Sequence, residues 1–115
     1  MIRHIVILHF KKSFDKDYSN LLESTKPLIS EISGILRYNI YKNESKYTPD
    51  NVYSLGVEII FKDQSALEYF MTHPKHYEAN AIFESYLADP AYFVLTHQIL
   101  DSEVIEFEHS RGISL

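Results

Sequence analysis

The sequence predicts an α+β fold with elements in the order β-α-β-β-α-β and its four strands in one antiparallel sheet. Three observations predict it. Short runs rich in β-branched and aromatic residues alternate with stretches of helical periodicity. The two halves of the chain repeat the same strand-helix-strand plan. The first, third and fourth apolar runs carry apolar residues on both alternating sets of positions, as strands do when both faces are covered.

Residues 2–10 read as the first strand. Val6, Leu8 and Phe10 share a face with His4, and Ile5 and Ile7 share the opposite face with His9. Residues 15–33 read as a helix, with Asp15 or Asp17 as its cap and Leu21, Leu22, Leu28, Ile29 and Ile32 as its apolar stripe. Pro27 lies inside that stripe and is expected to kink or split the helix, because it lacks a donor and crowds the preceding turn. Gly34 supplies the stop. Residues 35–43 read as the second strand, and the polar stretch Lys42 to Asn51, with Pro49 and Asp50, as a loop.

Residues 52–61 read as the third strand, in which Gly56 marks a bulge or the close approach of another group. Asp63 opens a helix, and Ser65 with Glu68 has capping-box spacing as a second start. That helix ends at His73, since the residue before a proline is pushed out of helical conformation. Pro74 suits the first turn of a further helical segment through Ile82, Phe83, Tyr86 and Leu87, stopping near Asp89 and Pro90. Residues 91–100 read as the last strand. This order is the ferredoxin-like one, with helices on one face of the sheet. The uncovered apolar face needs a partner, and a homodimer packing two sheets face to face is the economical answer. Residues 1–100 are read as the domain and 101–115 as an acidic C-terminal extension, either disordered or laid over a neighbour.

The chain has 115 residues, of which 11 are basic and 16 acidic, for a net charge of -5. That balance argues against a nucleic-acid partner, which needs a basic face. With no cysteine there are no disulfides, thiolate metal sites or thiol nucleophiles. No apolar run approaches the roughly 20 residues of a membrane span, and the Ile5–Leu8 run is too short for a signal peptide. A cytoplasmic protein without membrane partners is expected.

The opening stretch Met1 to Lys11, the Ile32-Ser33-Gly34-Ile35 joint, the run Val57 to Asp63, and above all Tyr69-Phe70-Met71-Thr72-His73-Pro74-Lys75-His76 resemble the stress-response A/B barrel (Dabb) family over about residues 1–100. The resemblance implies a dimeric α+β barrel. It also implies mixed functions, from stable stress-associated proteins to polyketide cyclases working by aldol chemistry.

In the cyclase-type members the histidine matching His76 is the general base, a role that suits imidazole because its pKa lies near neutrality. His4 matches a pocket histidine of the same members. Those members carry a tyrosine where this chain has Phe70, with Tyr69 one place earlier and turned by about 100° on a helix. A second pocket histidine of those members aligns near Leu55. Tyr69 is thus the remaining candidate acid, Phe70, His73, Leu55 and Tyr77 are candidate ligand-binding residues, and Tyr53 or Tyr77 offers a replacement hydroxyl. The competing structural reading has His73 capping the broken helix and the other histidines hydrogen-bonded in the core. A metal at His73 and His76 lacks further ligands beyond Glu78, so neither metal nor other cofactor is expected. Three functions follow: a small-molecule-binding homodimer with cyclase- or lyase-like acid–base chemistry on an apolar or aromatic oxygenated ligand, a non-enzymatic structural dimer, and a cofactor-free monooxygenase.

Overall fold

The computed structural model describes residues 1–10, 18–47, 53–87 and 93–99. Its elements are β1 (Ile2–Phe10), α1 (Tyr18–Ser30), β2 (Ile35–Lys42), β3 (Tyr53–Phe61), α2 (Gln64–Thr72), α3 (Pro74–Glu84) and β4 (Phe93–Gln98). The strands form one sheet in the order β2-β3-β1-β4, antiparallel throughout, which is the ferredoxin-like arrangement expected. The candidate caps Asp15 and Asp17, the Pro49–Asn51 loop, the stop near Asp89 and Pro90, and the segment 101–115 lie outside the described residues.

Strand alternation divides the sheet into two unlike faces. His4 pairs with Ile59 and Thr96, Val6 with Val57 and Val94, and Leu8 with Leu55, so one face collects the core residues. Phe61 and Leu55 are fully buried there, joined by Phe70 from α2 and by Leu21, Ile29 and Ile32 from α1 and its C-terminal turn. The opposite face carries Ile5, Ile7, Ile60 and Leu95, and Leu95 is 46% exposed. Amid these apolar groups Glu58 receives Arg3 Nε at 2.9 Å and Arg37 Nε at 3.1 Å, and Tyr41 Oη donates to it at 3.3 Å.

Two local expectations are corrected. Of the kink or split expected at Pro27, the split does not occur: α1 runs through it as one helix to Ser30. Only three residues follow it, so little helix is lost to the missing donor. Gly56 sits in unbroken register opposite Ile7 and Tyr41. A Cβ there would meet nothing closer than 3.8 Å, and the irregularity falls instead in β2 between Ile35 and Arg37.

The helix boundaries follow their capping chemistry. Gly34 takes φ +89° and ends the turn after α1, and its carbonyl accepts from Lys62 N at 2.9 Å. Asp63 is the N-cap of α2, its carboxylate accepting from Ala66 N at 2.9 Å. At the break, His73 N donates to Phe70 O to close α2, and Pro74 begins α3. That helix stops at Glu84, short of Tyr86 and Leu87, where Leu87 bridges to Phe10. No helix among the described residues is long and apolar enough to cross a membrane.

Candidate functional site

A cavity of about 180 Å³ opens between the core face of the sheet and the α2–α3 break. Its polar lining is His4 from β1, Tyr38 from β2, and His76, Asn80 and Glu84 from α3. Apolar walls come from β1, β3, β4 and the helices, among them Val6, Ile59, Phe70 and Phe83. A cavity of about 150 Å³ holds benzene. This one therefore has room for a single ring with a short substituent.

His4 reaches the cavity because even-numbered positions of β1 face the helices. It is 8% exposed, and its Nδ1 shares a 2.8 Å hydrogen bond with Thr96 Oγ1. It meets the rings of Phe61 and Phe70 in T-shaped contacts, with centroids 6.2 and 6.4 Å away. Burial lowers its pKa from 6.5, and the neighbouring His76 lowers it further.

His76 enters from the first turn of α3. Its ring lies against Phe70 with centroids 4.1 Å apart and stacks on Tyr77 at 5.5 Å. Burial lowers its pKa from 6.5, partly opposed by the Met71 and Phe70 carbonyls at the end of α2. Asn80, one turn on, places its amide nitrogen 3.2 Å from Nε2. Nδ1 is buried and makes no aligned hydrogen bond. An amide N–H donated to Nε2 leaves the neutral ring's proton on Nδ1 and the basic lone pair on Nε2. Both histidines, with pKa values below 6.5, are mainly neutral at pH 7 and able to accept a proton.

Tyr38 was not singled out in the sequence. It stands on the core face of β2 opposite Ile59 and lines the cavity. Its hydroxyl lies 2.6 Å from Thr25 Oγ1, and burial pushes its pKa up to about 12, with the Thr25 bond opposing. Asn80 and Thr96 were missed as well. The four-residue spacing of Asn80 from His76 was available in the sequence, whereas Thr96 meets His4 only through the pairing of β1 with β4.

The other candidates are placed elsewhere. Phe70 is 2% exposed and forms the cavity wall under His76. His73 turns away from His76: its Nδ1 accepts from Lys75 N at 3.0 Å as the N-cap of α3. Tyr69, 50% exposed, packs edge-on to His73 at 5.2 Å and is not part of the lining. Tyr77, 57% exposed, donates to Met71 O at 3.0 Å and covers the outer face of His76. Leu55 is fully buried in the core beside the cavity. The side chain of Tyr53 lies outside the described residues. No group of three or more metal-ligating side chains is found among the described residues, and Glu78 is engaged with Lys75 at 3.5 Å.

Residues 2–107 match the model of the Stress responsive A/B Barrel Domain. A search of curated proteins gives no significant match. Solved structures share the fold. A protein of Arabidopsis thaliana superposes with TM-score 0.73 at 19% identity, covering 90% of this chain and 100% of that one. A dimeric ferredoxin-like protein of unknown function from Thermobifida fusca gives 0.68 at 19% identity, covering 85% and 90%. The hydroxynitrile lyase of Passiflora edulis gives 0.69 at 16% identity, covering 87% and 94%.

Proposed function

The chain belongs to the stress responsive A/B barrel domain family, and from that premise we propose that it is a homodimer binding a small aromatic or apolar oxygenated molecule, on which His76 performs acid–base chemistry. The observation that carries the reading is the meeting of two neutral, partly buried histidines at one open apolar cavity. Packed side chains would have favoured a purely structural role. The lyase among the structural neighbours supports chemistry at a carbon–carbon bond beside an oxygenated carbon.

In this scheme Nε2 of His76 leaves Asn80 and takes a proton from the ligand carbon beside a carbonyl, breaking that C–H bond. The bond's electron pair moves onto the adjacent carbonyl oxygen, giving an enolate. The imidazolium returns the proton to that carbon, or, when the enolate carbon has added to a second carbonyl, to the alkoxide oxygen that the addition forms. His4, held by Thr96, polarises the ligand oxygen. The apolar walls exclude water and strengthen these interactions. The homodimer forms through the Ile5, Ile7, Ile60 and Leu95 face of the sheet, in line with the dimeric state of the Thermobifida fusca neighbour.

The test uses 2-hydroxyacetophenone, whose ring and short side chain suit the cavity. The protein is expected to accelerate exchange of its methylene protons in D₂O, followed by NMR. His76→Ala is expected to return exchange to the buffer rate while the dimer and the fold persist. No acceleration by the wild-type protein removes the acid–base reading and leaves the structural one.

A further inference from the structure

We infer that Tyr38 is a hydrogen-bond acceptor in the cavity, so that the ligand is one that brings a hydroxyl, or another O–H or N–H donor, to it. This inference rests on the proposed use of the cavity and names the class of molecule it takes.

A short chain of hydroxyl groups and a carbonyl fixes where each proton lies. Thr25 is fully buried. Its hydroxyl lies 2.7 Å from Leu21 O and 2.6 Å from Tyr38 Oη. A carbonyl oxygen cannot donate, so the Leu21 contact is a hydrogen bond only when the threonine proton points there. Thr25 Oγ1 is then an acceptor towards Tyr38, and the phenol donates to it. The reverse assignment spends the threonine proton on Tyr38 and leaves two oxygens facing each other at 2.7 Å. The phenol is also the more acidic hydroxyl and the better donor.

With its proton turned towards α1, Tyr38 offers the cavity only the lone pairs of its oxygen. Burial, which disfavours the phenolate, keeps the group a neutral phenol. Nε2 of His76, the other lone pair among the polar lining, is already taken up by the Asn80 amide, so the preference for a donor rests on Tyr38. A carbonyl or ether oxygen placed beside Tyr38 meets another oxygen without a proton between them, and an unpaired buried acceptor is costly. The site therefore discriminates between a hydroxy ketone and its O-methyl ether, which share ring and carbonyl and differ in one proton donor.

Binding of 2-hydroxyacetophenone and 2-methoxyacetophenone to the full chain is measured by NMR titration, with the ring signals of His76 and Tyr38 as reporters of the site. The hydroxy compound is expected to bind at least about fivefold more tightly. Tyr38→Phe removes the acceptor and is expected to erase the difference. Thr25→Val frees the phenol proton to donate into the cavity and is expected to bring the ether level with the alcohol or ahead of it. Thr25→Ser keeps the hydroxyl, should keep the preference, and controls for packing at this buried position. Equal binding of the two compounds to the wild-type protein overturns the inference and leaves the proposed function standing. A preference that survives Tyr38→Phe also overturns it. Failure of both compounds to bind removes the proposed function and the inference together.

Discussion

His4 and His76 tie the cavity to pH. Both have pKa values lowered from 6.5, His4 by burial and then by His76, and His76 by burial. The unfolded chain binds protons at these rings near pH 6.5, and the folded chain binds them only at lower pH. Their contribution to stability is therefore complete above 6.5 and is lost as pH falls through the lowered values. The urea midpoint is expected to drop below about pH 6.5, and the wild-type minus His4→Gln difference to isolate the share of His4. An identical slope in the variant would show that His4 does not carry it. The same lowering places the acid limb of His76-dependent proton exchange below 6.5, which a pH–rate profile reads directly.

Among the elements, the joint between α1 and β2 is the most demanding. Gly34 has φ +89°, and an added Cβ would stand 2.6 Å from Ala66 Cβ, at the start of α2. Left-handed backbone costs an ordinary residue about 1–2 kcal/mol, and the overlap adds to it. Gly34→Ala is expected to lower Tm by about 10 °C, measured by thermal unfolding; an unchanged Tm would mean that the joint relaxes freely. Much of the element plan was legible. Asp63, His73 and Pro74 announced the α2–α3 break because capping and proline geometry are local. Gly56, and Pro27 as a point of splitting, misled for the opposite reason. Their local signals were real, but α1 has enough contacts to carry a proline near its end, and the sheet accommodates a glycine in plain register.

At the scale of the molecule the proposed dimer rests on the sheet face opposite the helices. Ile5, Ile7, Ile60 and Leu95 surround the Glu58 carboxylate, which Arg3 and Arg37 hold. The arginines are half exposed in the single chain, where such pairs contribute about 1 kcal/mol or less. Burial under a second sheet makes the pairing obligatory, because a lone charge there is strongly unfavourable. Sedimentation is expected to give twice the 13.5 kDa chain mass. Ile7→Arg, which puts an unpaired cation among the apolar groups, is expected to give the single-chain mass. A variant that sediments like the wild type would move the interface elsewhere.

The order of elements, the two-faced sheet and the capped break at His73 and Pro74 were legible along the chain, and the resemblance to the family supplied His4 and His76 as candidates. The first three depend on periodicity and on local backbone chemistry. Which polar groups share a cavity emerges in the folded chain alone. It brought Tyr38 and Thr25 together across α1 and β2, set Thr96 on His4, and left Tyr69 and His73 outside. Those outcomes depend on strand register and helix placement. These are set by the packing of the whole core, so the lining of the cavity could not be read from spacing along the chain.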